Sequence, residues 1–135
     1  MASERHAVGL LDTSVVIDLG ALDPTQLPAV PRVSTVTLAE LGLGVHTAGD
    51  AAERALRTER LQRVESVFDP LPFTIESARR FSHMAGLVIA SGRSPKPPRL
   101  DLMIAAVASS NRLPLYTRNP HDFVDLEPVL ATVAV

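Results

Sequence analysis

Four acids in this chain have neighbours that could build them into one reactive site: Asp12, Glu40, Asp101 and Asp122. Asp12 stops an apolar run, Val8–Leu11. Glu40 lies in the first turn of a helix-forming stretch. Asp101 opens an Ala-rich apolar stretch, and Asp122 follows a short apolar run ending at Thr117. Acids at strand ends and helix starts meet at the carboxyl edge of an open α/β sheet, where such sheets bind ligands. Carboxylates gathered there repel one another and retain protons unless a cation intervenes. With no Cys and no paired His spacing among His6, His46, His83 and His121, the donors are hard oxygens, which favour Mg2+ or Mn2+ over Zn2+. Such an ion lowers the pKa of its water and clamps the oxygens of an in-line displacement at phosphorus. The chemistry implied is attack of water on a phosphodiester.

Each acid also has a plainer reading. Thr37 to Glu40 matches a capping box. Asp101 suits an N-cap or a partner of the helix dipole. Asp122, three residues after Asn119, suits a cap as well. Asp12 is harder to dismiss, because a carboxylate ending an apolar strand has less structural reason to be there.

The elements that must position these acids follow from the patterning. Strands are expected at residues 8–11, 32–36, 71–74 and 114–117, with the tail 128–135 able to add one more. Helices are expected at 13–19, from the capping box to about 47, at 51–68, 76–90 and 100–110. The last is apolar nearly all round and so should be buried. Residues 23–31 carry three prolines and read as a connection, and 91–98 form a breaker-rich loop. Asn119 and Pro120 suit the N-cap and first position of a further helical turn. Strands alternating with helices predict an α/β domain with a mainly parallel sheet of about four or five strands and helices on both faces.

Composition sets the outer limits. At 135 residues and 46% apolar, the chain makes one domain with an ample core, and no linker divides it. Without Cys there is no disulfide, thiolate nucleophile or thiolate metal site. The charged start MASERHAVGLLD argues against a signal peptide, and no segment approaches the roughly 20 apolar residues of a membrane span. A cytoplasmic protein is expected. A net charge of −2 neither suggests nor excludes a nucleic-acid partner.

The stretches LLDTSVVID, TVTLAELGLGV and RLDLMIAAVASSNRLPLYTRNPHDF, with PLPFT between the last two, resemble PIN-domain ribonucleases, specifically the VapC-type toxins of bacterial toxin–antitoxin pairs. The resemblance runs along nearly the whole chain and implies a single PIN-like domain over residues 1–135. It implies Asp12 and Asp101 as the principal metal ligands, Glu40 completing the pocket, and Thr13, Ser14 and Thr117 lining it. Many members place an Asp where this chain has Asn119, so Asp122 would either supply the fourth charge or only orient water, and one metal or two remains open. The resemblance also implies Mg2+- or Mn2+-dependent cleavage of a structured tRNA or rRNA loop, leaving a 5′-phosphate and a 3′-hydroxyl. The implied partners are a second copy of the chain and a VapB-type antitoxin whose C-terminal segment wraps the toxin, in a higher assembly.

An acidic pocket does not attract RNA by itself, so bases must hold the phosphates. Arg93, Lys96, Arg99 and Arg118 lie near Asp101 and Asn119 in sequence and are expected to matter more than Arg54, Arg57, Arg60 and Arg63, which read as a solvated helix face. His121 is near enough to touch a phosphate. Aromatics at 4% leave little for base stacking, and Phe73, Phe81 and Phe123 read as core. Two competing functions have features to test. Aspartyl phosphotransfer through Asp12 lacks the second acid of an Asp-x-Asp motif, since Thr13 and Ser14 follow. A binding module acting through protein partners would suit an incomplete fourth acid.

Overall fold

The computed structural model describes residues 6–135. The charged first residues, read above as lacking a leader, lie in part outside them. Four strands form one sheet in the order β2-β1-β3-β4, with β1 Val8–Leu11, β2 Val30–Arg32, β3 Leu115–Thr117 and β4 Thr132–Ala134. All three pairings are parallel. Parallel sheets need cover on both faces, which is why β1 and β3 read as continuous apolar runs. Alternation along the strands splits the core in two. Leu10 and Leu115 pack with Met84, Val88, Ile104 and Phe123 on one face. Leu11 and Tyr116 pack with Val15, Val33, Leu41 and Val64 on the other. Among the described residues no helix is long and apolar enough to cross a membrane.

Five α-helices supply that cover: α1 Thr13–Ile17, α2 Thr35–His46, α3 Ala51–Val67, α4 Ile75–Ser91 and α5 Arg99–Ser110. α5 buries seven of its residues between sheet and α4, as its all-round apolarity predicts. A 3-10 helix over Pro120–Leu126 leads from β3 towards β4. Side chains of Asp50 and Thr74 cap α3 and α4 by accepting from the N–H of Glu53 and Ser77.

Several expected boundaries move, each for a local reason. The strand expected at 32–36 ends at Arg32, because the Ser34 side chain accepts from Thr37 N and caps α2. Thr37 is therefore inside the helix, and Glu40 is in its second turn, outside any capping box. The strand expected at 71–74 reduces to one parallel bridge between Ser34 and Leu71. Pro70 and Pro72 flank Leu71 and bring no N–H for a ladder, and Phe73 N donates to the Thr35 hydroxyl. The first helix stops at Ile17 and continues as a 3-10 turn over Leu19–Ala21. Asp101 is the third residue of α5, whose N-cap is Pro98.

Gly9 marks the closest approach in the sheet. A Cβ there would stand 2.6 Å from Cε1 and 2.8 Å from Cδ1 of Tyr116, and 3.1 Å from Pro28 Cγ. Tyr116 is itself buried in the core, so its ring cannot simply swing away. Gly9→Ala is expected to cost about 1–3 kcal/mol by overpacking, read as a lower midpoint in chemical denaturation, with no such loss for Gly20→Ala, where nothing stands within 4 Å.

Candidate active site

Asp12 leaves β1 at the carboxyl edge of the sheet, becomes the N-cap of α1, and is 3% exposed. Its two carboxylate oxygens collect three donors. Thr13 N donates to Oδ1 at 2.9 Å. The hydroxyls of Ser14 and Thr117 donate to Oδ2 at 3.1 and 2.8 Å. Both hydroxyls in turn accept from the backbone after β3: Arg118 N donates to Ser14 Oγ at 3.2 Å, and Asn119 N to Thr117 Oγ1 at 3.0 Å. The Asp12 carboxylate thus holds the end of β1, the start of α1 and the exit of β3 in one cluster.

Glu40 reaches the same region from α2. Thr13 Oγ1 donates to Glu40 Oε1 at 2.9 Å. That donation uses Thr13's only hydroxyl proton, so in the 3.0 Å contact between the hydroxyls of Thr13 and Thr37 the donor is Thr37. Thr37 is a buried supporting residue that the sequence reading passed over. The sequence pattern assigned it to the cap of α2, which the bond from Thr37 N to Ser34 Oγ gives to Ser34.

Asp101 is half-buried on the first turn of α5 and accepts no hydrogen bond among the described residues. It is therefore not acting as a cap. Burial pushes its pKa up to about 7, and the charges of Asp12, Glu40 and Asp122 push in the same direction. Burial also raises Asp12, with Asp122 adding to it against the lowering effect of its three donors. Burial raises Glu40, helped by Asp12 and opposed by the Thr13 hydroxyl. No arginine or lysine offsets any of these shifts. The four acids thus share one field, but they do not close on a common point: no group of three His, Cys, Asp or Glu side chains among the described residues is gathered tightly enough to hold a metal ion.

The remaining candidates divide. Thr13, Ser14 and Thr117 line the cluster as expected. Asn119 contributes its backbone: its N–H binds Thr117, its carbonyl accepts from Asp122 N at 3.1 Å, and its exposed side chain makes no cap. Arg118 is exposed and stands 3.4 Å from Asp18, a partner the sequence did not suggest. Arg99 opens α5 at the surface and, with Lys96, edges an apolar groove between α4 and α5. Arg93 is not free: it is paired to Asp125 and touches His121. On α3, Arg57 and Arg63 are tied to Glu53 and Glu59. Arg57 and Arg60 line a cavity of about 340 Å3 that also borders Thr13 and Glu40. Phe123 is core and Phe73 and Phe81 pack against it.

An all-parallel sheet in this order, with buried acids at its carboxyl edge and helices on both faces, defines a PIN-like domain. No family model matches the chain. It is 39% identical over 130 residues to Ribonuclease VapC5 of Mycobacterium tuberculosis, spanning 93% of this chain and 92% of that protein. It is 34% identical over 111 residues to Ribonuclease VapC8 of the same organism, spanning 80% and 96%. Among solved structures it is similar to VapBC-5 from Mycobacterium tuberculosis, a member of the VapBC family of toxin–antitoxin systems (TM-score 0.83, 36% identity, 96% and 99% of the two chains). VapBC2 from Rickettsia felis, at 16% identity and a TM-score of 0.74 over 95% and 98%, shares the fold. The chain belongs to the VapC-type family of PIN-domain ribonucleases.

The raised acid has a consequence for folding. Between its ordinary value of 3.8 and about 7, Asp101 is protonated in the folded protein and ionised in the unfolded chain. The stability this group carries is complete below pH 3.8 and is lost as the pH rises through about 7. The full separation corresponds to about 4 kcal/mol, which solvent screening at a half-buried site reduces. Without metal, Asp101→Asn is expected to be about 1–2 kcal/mol more stable than wild type at pH 8 and to gain nothing near pH 4, as measured by denaturant unfolding at the two pH values.

Proposed function

We propose that this protein is a Mg2+- or Mn2+-dependent endoribonuclease, the toxin of a toxin–antitoxin pair, which cleaves cellular RNA such as a tRNA or rRNA loop. The observation that carries this reading is the set of three carboxyls, Asp12, Glu40 and Asp101, each raised by burial and by at least one other acid, with no cation among the described residues to offset them. An all-oxygen donor set with uncompensated negative charge fits a hard divalent cation. Asp12 and Asp101 would hold it, with Glu40 and Asp122 adding charge. When bound, the ion would supply a lowered pKa for water and charge neutralisation at the scissile phosphate.

The chain's own residues do the positioning. Ser14, Thr117 and Thr13 N fix the Asp12 carboxylate through their hydrogen bonds. Thr13, fed by Thr37, fixes Glu40. Arg99, exposed at the start of the helix that bears Asp101, and Arg118, next to Thr117, would bind RNA phosphates, Arg118 exchanging Asp18 for substrate. RNA is then held by its backbone, which suits a chain poor in aromatics.

The fitting partner is a VapB-type antitoxin, since solved relatives are VapBC assemblies. An apolar groove of about 270 Å3 lined by Val16, Ile17, Leu19, Val64, Val67 and Phe68, with Arg60 and Arg63 at its edge, suits an amphipathic acidic segment. The exposed Ile75 and Ile89 of α4 suit a second copy of the chain. A cytoplasmic location is part of this reading.

Purified protein should cleave cellular RNA only with Mg2+ or Mn2+, and Asp12→Asn and Asp101→Asn should each lower the rate at least about 100-fold. Absence of any metal-dependent cleavage by wild type would favour a binding module, and cleavage surviving both substitutions would remove the assigned site. Arg99→Ala with Arg118→Ala should weaken RNA binding by Asp12→Asn protein and flatten its salt dependence by about two phosphate contacts. Val67→Asp should weaken antitoxin binding about 10-fold or more by placing a charge in the groove, while leaving RNA cleavage by free toxin unchanged.

A further inference from the structure

Arg93 leaves the left-handed C-cap of α4, where Gly92 has φ 66°, and reaches 32 residues along the chain to Asp125. Its Nε donates to Asp125 Oδ2 at 2.9 Å. Its Nη2 is buried and also 2.9 Å from that oxygen, but out of line for a hydrogen bond. Its Nη1 is 3.0 Å from His121 Nε2, and the Ser91 hydroxyl, whose proton points to Val88 O at 2.7 Å, stands 3.2 Å from the same Asp125 oxygen. Two nitrogens of one guanidinium, just past the end of α4, therefore grip one short 3-10 helix at Asp125 and His121.

That helix is the one that carries Asp122. In a 3-10 helix, side chains three apart lie one above the other. Phe123 and Leu126 obey this and are both buried in the core. Asp122 and Asp125 stand three apart in the same way, so they share the adjacent face. Anchoring Asp125 sets the rotation of that face, and with it the direction of Asp122. The loop that supplies Arg93 runs on into α5, where Asp101 is the third residue. The pair therefore ties together the two segments that bear Asp101 and Asp122.

We propose that Arg93, through its ion pair with Asp125, is a positioning residue that fixes the orientation of the 3-10 helix bearing Asp122 at the margin of the acidic pocket and thereby raises the pocket's affinity for a divalent cation. This rests on the metal-pocket reading above. It replaces the expectation that Arg93 binds RNA, since its guanidinium is already committed to Asp125 and His121.

The test is calorimetric titration of metal-free protein with Mn2+, alongside steady-state RNA cleavage and thermal unfolding, for wild type, Arg93→Ala, Arg93→Lys, Asp125→Asn and the double variant Arg93→Ala with Asp125→Asn. Arg93→Ala should weaken Mn2+ binding about 10-fold and lower kcat, with the KM for RNA changing less than about 2-fold. Arg93→Lys should recover part of the Mn2+ affinity, because it restores the charge without the fork. The double variant should lose no more than Arg93→Ala alone, because both act through one pair. Asp125→Asn keeps the side chain's size, so it tests the pair even where Arg93→Ala folds poorly. Unchanged Mn2+ affinity in both Arg93→Ala and Asp125→Asn, with wild type binding normally, overturns the inference alone. A raised KM with unchanged Mn2+ affinity makes Arg93 an RNA contact and overturns it equally. Wild type that binds no Mn2+ overturns the metal-pocket reading and the inference with it.

Discussion

The carboxylate of Asp12 is the point on which the site's architecture depends. It is buried, and a buried carboxylate is tolerated only when its oxygens are satisfied. Three donors satisfy it, and two of them are hydroxyls that pass the constraint outward to the backbone of Arg118 and Asn119. A single side chain therefore sets where β1 ends, how α1 starts and how the chain leaves β3. Thr13, next to Asp12, extends the same network to α2 through Glu40 and Thr37. Polar networks of this kind are costly when half made and rigid when complete. Here the satisfied members hold the geometry while Asp101, with no donor, carries the unrelieved charge.

That division separates stability from function. The fold is held by two apolar layers, one around α4 and α5 and one around α1 to α3, with the sheet between them. Neither layer needs the acids. The acids cluster where the strands end, and their raised pKa values are stability given up at neutral pH. A structure built only to fold would place an arginine among them. Instead the arginines near the edge are paired with other acids, Arg118 with Asp18 and Arg93 with Asp125. The pocket's own charge is left for something outside the chain to neutralise.

Much of this was legible in the residues. Apolar runs ending in Asp12 and Thr117 located the strand ends, and the Ala-rich stretch after Asp101 announced a helix buried on all sides. The parallel α/β class followed from alternation alone. What was not legible depended on contacts between distant segments. The sequence pattern put the cap of α2 at Thr37, whereas the bond from Thr37 N to Ser34 Oγ puts it at Ser34. The stretch 71–74 has strand-like residues, yet its prolines leave one bridge. The arginines of α3 read as a solvated helix face, and the pairs of Arg57 with Glu53 and Arg63 with Glu59 accord with that. Proximity in sequence placed Arg93 near the pocket, whereas its partner lies beyond β3.

The departure at Asn119 can be understood from the same geometry. Its side chain is exposed, and its contribution is a backbone N–H to Thr117 and a carbonyl to Asp122 N. Asp122 is the third residue of the 3-10 helix that Asn119 precedes. Its charge reaches Asp12 and Asp101 from there. The pKa shifts order the contributions accordingly. On Asp101 the influence of Asp12 exceeds that of Glu40, which exceeds that of Asp122, and on Asp12 the influence of Asp122 ranks below burial and every hydrogen bond. The field is therefore centred on Asp12, Asp101 and Glu40, with Asp122 at its margin. A residue at the margin gains most from being held still, because a small rotation of its short helix changes whether its charge is felt at all. This is the physical reason for an ion pair on Asp125, one turn of that helix away from Asp122.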